Sequence, residues 1–185
     1  MMKESFGRVL EVVLNILPSN INNQVISDLI LSYLQRNVNL LGSDVKPYFL
    51  LIAKSYIQST EFERLDLFLT IVNYSITTLK SHGIELIDNI FLYLFQKMSA
   101  VKIPESDLSD IDKNNNKVFA GFFRIILTSV EIDSTFLFSV VNAPYFNNFL
   151  SYAILHLETN IERTTKKTVL TILKELFIDF SGLTQ

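Results

Sequence analysis

At 185 residues, 49% of them hydrophobic, and with a formal charge of −3, the chain can build one domain with a sizeable core or several stacked repeats. That charge argues against a free-standing nucleic-acid binder, whose affinity comes mainly from neutralising phosphates. The absence of cysteine excludes disulfides, thiol catalysis and thiolate metal sites together.

Mean hydropathy is +0.30, yet no uninterrupted apolar run approaches the roughly 18 residues of a membrane-spanning helix. The apolar residues are spread periodically among polar ones, so the expectation is a buried core and no membrane insertion. The opening MMKESFGRVLEVVLNIL lacks the long apolar stretch and small-residue cleavage site of a signal peptide, which leaves a soluble intracellular protein as the expectation.

In chain order, residues 6–17 carry Val9, Leu10, Val13, Leu14 and Leu17 on one helical face, with Pro18 as a stop. A second helix restarts at residues 20–23, and Val25, Ile26, Leu29, Ile30 and Tyr33 extend the stripe toward Gly42. Ser43 and Asp44 are capping candidates for a third, with Pro47 in its first turn and Tyr48, Leu51, Ile52, Ser55 and Tyr56 along it, breaking near residues 58–60. A helix over about residues 61–80 ends before Gly83, and another covers 84–100 with Ile87, Ile90, Phe91, Leu94 and Phe95 on one side.

The hydrophilic connector KIPESDLSDIDKNNNK follows, with Pro104 and Ser106 as start signals; its later part reads as the front of a long helix reaching about Val130. Asp133 to Val141 reads as a short helix, Asn142-Ala143-Pro144 opens another to about Glu158, and residues 161–182 form the last. Alternating apolar/polar runs and Asn-Gly hairpin turns are missing, so the expected fold class is all-α. Gly42 and Gly83 each close the second helix of an apparent pair, 41 residues apart, about the period of a HEAT-type unit. The predicted architecture is therefore one α-helical repeat domain over residues 1–185, with antiparallel helix pairs stacked as a HEAT-like α-solenoid. A globular multi-helix domain is the structural alternative.

Catalytic chemistry is not legible. There is no glycine-rich phosphate loop and no His-Glu-x-x-His pair. The groups Glu61, Glu63, Asp66 and Asp107, Asp110, Asp112 fall at expected helix N-termini, where carboxylates favour the helix dipole. DIDKNNNK lacks the glycine and closing glutamate of a calcium loop. His156 lies among apolar neighbours and reads as a satisfied core histidine. No enzyme, metal or cofactor is expected. In the last helix Val169, Ile172, Leu173, Leu176 and Phe180 share one face at about 100° per residue. Arg163, Lys167 and Lys174 gather on the other, with Lys166 at the boundary. A solvated helix face is the plainer reading of that cluster, and a binding patch the sharper one.

The stretch FFRIILTSVEIDSTFLFSVVNAPYFNNFLSYAILHLETNIERTTKKTVLTILKELFIDFSG resembles the C-terminal half of the exportin-t family of tRNA export receptors, in the importin-β superfamily. The likeness lies in the aromatic helix Val118–Thr128, in Asn142 near a helix start, and in Thr165, Lys166, Ile172, Leu173, Leu176 and Gly182. LGSDVKPYFLLIAKSYI is similar in style. The family's Trp before the final Gly is replaced here by Phe180-Ser181.

The resemblance implies a C-terminal fragment of a longer receptor that binds tRNA together with Ran-GTP and carries it from nucleus to cytoplasm. Ran-GTP would be held mainly through N-terminal repeats outside this chain, and nucleoporins would be further partners. Arg163, Lys166 and Lys167, with Arg124 as a weaker candidate, are the expected tRNA contacts. The alternative is a helical-repeat scaffold that binds protein and no RNA.

Overall fold

The computed structural model describes residues 2–101, 110–139, 141–159 and 162–182. Over these the chain is all-α, with no strand. The α-helices are α1 (Met2–Asn20), α2 (Gln24–Leu41), α3 (Lys46–Ser59), α4 (Leu65–Leu79), α5 (Ser81–Ser99), α6 (Asp110–Ile132), α7 (Phe146–Glu158) and α8 (Arg163–Gly182). Short 3-10 turns at Gly42–Val45, Phe62–Arg64, Phe136–Phe138 and Ala143–Tyr145 link them. Pro104, Ser106 and Asp107 lie outside the described residues.

Local chemistry explains most boundaries. Pro18 does not stop α1 but sits inside its last turn, where a proline forfeits only one intrahelical bond. The Asn20 side chain donates to the Ile16 carbonyl at 2.9 Å there, folding back onto the last turn. Asn23 caps α2, its Oδ1 accepting from the Ile26 amide. Gly42 ends α2 at φ 57°, ψ −132°, its amide donating to Val38. Ser43 and Asp44 fall in a 3-10 turn instead of capping α3, which has no side-chain cap and keeps Pro47 in its first turn. Between Asp133 and Val141 the described residues form no α-helix, only the 3-10 turn Phe136–Phe138. Asn142, fully buried, fastens this stretch to α5 by donating to Asp88 at 2.7 Å and to the Phe136 carbonyl at 3.0 Å.

Gly83 corrects the sequence reading more deeply. It lies inside α5, and α4 ends instead at Lys80, at φ 54°, ψ −120°. The Lys80 amide donates to Ile76 as Gly42 donates to Val38, so Lys80, 38 positions after Gly42, is its structural equivalent. Gly83 is needed for proximity: a Cβ there would stand 2.5 Å from Ile76 Cα.

The same offset of 38 carries the buried positions of α2 and α3 onto those of α4 and α5. Leu31 pairs with Leu69, Leu34 with Val72, Val38 with Ile76, Phe49 with Ile87, Ile52 with Ile90, and Ile57 with Phe95. One turn before the ends of α2, α4 and α6 sits a buried polar residue that returns a hydrogen bond to the carbonyl four residues back. In α2 it is Asn37 to Tyr33, in α4 Ser75 to Ile71, and in α6 Ser129 to Ile125. The two serine hydroxyls satisfy themselves this way and can be buried against a neighbouring helix at little cost, whereas the Oδ1 of Asn37 is buried without a partner among the described residues.

Packing follows alternate helices. α2, α4, α6 and α8 pack in succession, and α1, α3 and α5 do so beside them, with α1 on α2, α4 on α5, α5 on α6 and α7 on α8 joining the rows. α7 meets α5 through aromatic rings: Phe91 and Phe149 at 6.2 Å, Phe95 and Tyr152 at 5.6 Å. Phe91 also touches Phe95, Phe122 and Phe136, so one ring on α5 gathers α6, α7 and the segment between them. Lys46 of α3 pairs with Glu85 of α5 on the surface.

Candidate interaction surface

The buried side of α8 is formed by Thr165, Val169, Ile172 and Leu176, with Leu173 packed at its edge, and the helix rests on α6 and α7. This agrees with the predicted apolar face as far as Leu176; the Phe180 side chain lies outside the described residues. Arg163 and Lys167 are exposed, and Lys166 is half-buried at the boundary. Among the described residues neither Arg163 nor Lys167 has an ion-pair partner, while Lys174 approaches Glu175 at 4.0 Å. Arg124 is exposed on α6, a different helix, so the predicted tRNA contacts do not all belong to one element.

Sequence reasoning missed what shares the outer face with the cations. Leu170 is 54% exposed, Phe177 66% and Ile178 50%. Arg163, Lys167, Leu170, Lys174 and Phe177 alternate in steps of four and three, which lines them along one side of a helix. That spacing was present in the sequence, but the apolar residues in it were not separated from those that build the core.

The exposed large apolar residues of the protein are not scattered. Apart from Leu51 and Val141, those among the described residues lie on α1, α2, α7 and α8. On α1 they are Val9, Val12 and Ile16; on α2, Val25, Leu29 and Leu40; on α7, Ile154 and Leu155. The predicted burial of Val9, Val25 and Leu29 is thereby corrected, and the internal offset gives the reason. Leu29 corresponds to Leu67 of α4, which is half-buried on a helix that has α2 packed against it, with Tyr74 donating to Asn39 at 2.7 Å. α2 has no such preceding helix among the described residues. The first and last pairs therefore carry large apolar side chains that no described helix covers, and exposed apolar surface of this kind marks interaction sites.

Among the described residues the other polar groups form no metal-binding cluster. A cleft of about 360 Å³ is lined by Asp28, Tyr56, Glu63, Arg64, Asp66 and Asn114 among others. Arg64 donates to the Asn22 carbonyl at 3.1 Å, and Asp66 accepts from the Leu67 amide at the start of α4. No group of three or more His, Asp or Glu that could hold a metal occurs among the described residues.

His156 is buried, but only half of it is satisfied. Nδ1 donates to the Tyr152 carbonyl at 2.9 Å, and Nε2 has no partner. Phe119 and Phe123 flank the ring at 4.9 and 5.0 Å, and burial pulls its pKa down to about 4. Burial likewise raises the Asp88 carboxyl against the lowering effect of its bonds from Ser139 and Asn142. No helix among the described residues is long and apolar enough to cross a membrane.

No family model, no curated protein and no solved structure matches the chain.

Proposed function

We propose that this chain is a helical-repeat binding module, a HEAT-like α-solenoid that engages partner proteins through the faces its terminal helix pairs leave open. The observation that carries the reading is the offset of 38, which reproduces both the buried pattern and the helix-ending backbone turn while packing runs from each helix to the next but one. Stacked units of this kind bury one continuous core, and their end units must be covered or made polar. Here the outer faces of the first and last described pairs carry exposed apolar residues, which favours a covering surface.

A site-specific test uses a photo-crosslinking side chain at position 29 or 170 in the full chain, expressed in cells and digested with nuclease before analysis. Defined protein adducts at either position are expected. Adducts only with nucleic acid, or none at both positions, would overturn the reading.

A second reading rests on Arg163 and Lys167, exposed and without ion-pair partners, with Lys166 beside them. It makes the chain a segment of an exportin-type receptor, shuttling between nucleus and cytoplasm with Ran-GTP and nucleoporins and touching tRNA phosphates through these residues and Arg124. RNA helices are held largely through backbone and shape, so a local patch on an acidic chain is compatible with it. Reversing the charge of Arg163, Lys166 and Lys167 should then weaken tRNA binding more at low salt than at high salt. Binding unchanged at both salts removes the patch from any RNA surface.

A further inference from the structure

We infer that the outer face of α8 is a docking seam for an acidic amphipathic helix of a partner protein; this rests on the binding-module reading and names the partner's chemistry. Arg163, Lys167, Leu170, Lys174 and Phe177 are spaced four, three, four and three, the spacing with which one helix presents a straight seam to another. Leu170 and Phe177 are more than half exposed, so a partner that covers them gains the desolvation of two large side chains. Lys167 and Lys174 alternate with them on the same line. A helix lying along α8 must therefore place apolar side chains opposite Leu170 and Phe177, and carboxylates opposite the two lysines.

Charge decides against the other occupants. A second copy laid α8 on α8 would bring the lysines of two seams together with no carboxylate on either line, and the opposite end of the protein carries exposed Arg8 and Arg36 as well as Glu11 beside its apolar residues, a mixed charge and not an acidic complement. A phosphate backbone would pair with the cations but leave Leu170 without a partner. A lipid surface calls for an apolar face broad enough to sink into the headgroup boundary, whereas α8 buries its broad face on α6 and α7.

The experiment titrates the full chain into a fluorescent helical peptide of about three heptads. Leucine occupies one seam position and glutamate the other, and a control peptide has lysine for glutamate. Transfer RNA and phosphatidylserine vesicles are run in parallel, with sedimentation of the chain alone. The glutamate peptide is expected to bind and the lysine peptide not. Phe177→Asp should weaken binding by at least about tenfold, as loss of a central aromatic anchor does. The double variant Lys167→Glu, Lys174→Glu should prefer the lysine peptide. These side chains are exposed, so helical circular dichroism should be unchanged in each variant.

Tighter binding of RNA or vesicles, self-association through α8, or peptide binding indifferent to Phe177→Asp and to charge exchange overturns the inference. Protein adducts at position 29 with none at position 170 would overturn it and leave the binding-module reading standing. Adducts at neither position would end both.

Discussion

Lys80 is the place where a glycine would serve the fold better. It occupies φ 54°, ψ −120°, a region glycine enters freely and other residues enter only under strain of about 1–3 kcal/mol. Gly42 adopts nearly the same backbone angles at the equivalent helix end, and a Cβ built on it has nothing within 4 Å. Lys80→Gly relieves the strain and gives back about 0.4–1 kcal/mol by loosening the unfolded chain. The net expectation is a stabilisation of about 1 kcal/mol, or about 2–4 °C in Tm for a chain of this size. The reciprocal Gly42→Lys introduces the same strain with no clash and should cost about 1–2 kcal/mol. Urea unfolding followed by circular dichroism measures both, with the midpoints shifting in opposite directions and the m-value constant. A loss of stability in Lys80→Gly, or no loss in Gly42→Lys, would refute the equivalence of the two turns.

Two further outcomes follow from close packing and from burial. Gly83→Ala should destabilise by about 2 kcal/mol or more, because its Cβ would meet the Ile76 backbone at 2.5 Å, and overpacking of that kind outweighs the helix propensity gained; an unchanged urea midpoint would mean that α4 and α5 do not approach so closely. His156 binds its proton more weakly folded, near pH 4, than unfolded, near pH 6.5. The stability this gives is whole above about pH 6.5 and falls by up to about 3 kcal/mol as pH drops to 4, levelling below. His156→Met removes the titrating group and the unpaired Nε2, so its stability should fall less between pH 6.5 and 4. Parallel wild-type and variant curves across that window would contradict it.

The α-helical class, Leu10, Val13 and Leu17 on the inner side of α1, and the core face of α8 as far as Leu176 were all legible in the sequence, because each rests on one helical period sustained over several turns. α2 was read less well. It has apolar residues on more than one side, and periodicity alone cannot tell Leu31 and Leu34, which are covered, from Val25 and Leu29, which are not. That distinction depends on which neighbouring helix is present. Gly83 misled for a related reason: a glycine before a helical stretch reads as a terminator, while the residue that turns the chain is a lysine in a glycine's conformation. The cations of α8 were found by charge, but their alternation with Leu170 and Phe177 needed exposure to be seen. The spacing and the partner were separate questions until the outer face could be told from the inner.

The ring of Phe91 sets how the molecule comes apart. Its contacts span α5, α6, α7 and the 3-10 turn at Phe136, so none of these can peel away without opening an aromatic cluster that the others share. The first pair has no comparable anchor: the buried side chains of α1 and α2 are chiefly leucine, isoleucine and valine. Opening should therefore begin at the N-terminal end and halt at α5, giving a graded series of amide-exchange rates that climbs toward the amino terminus.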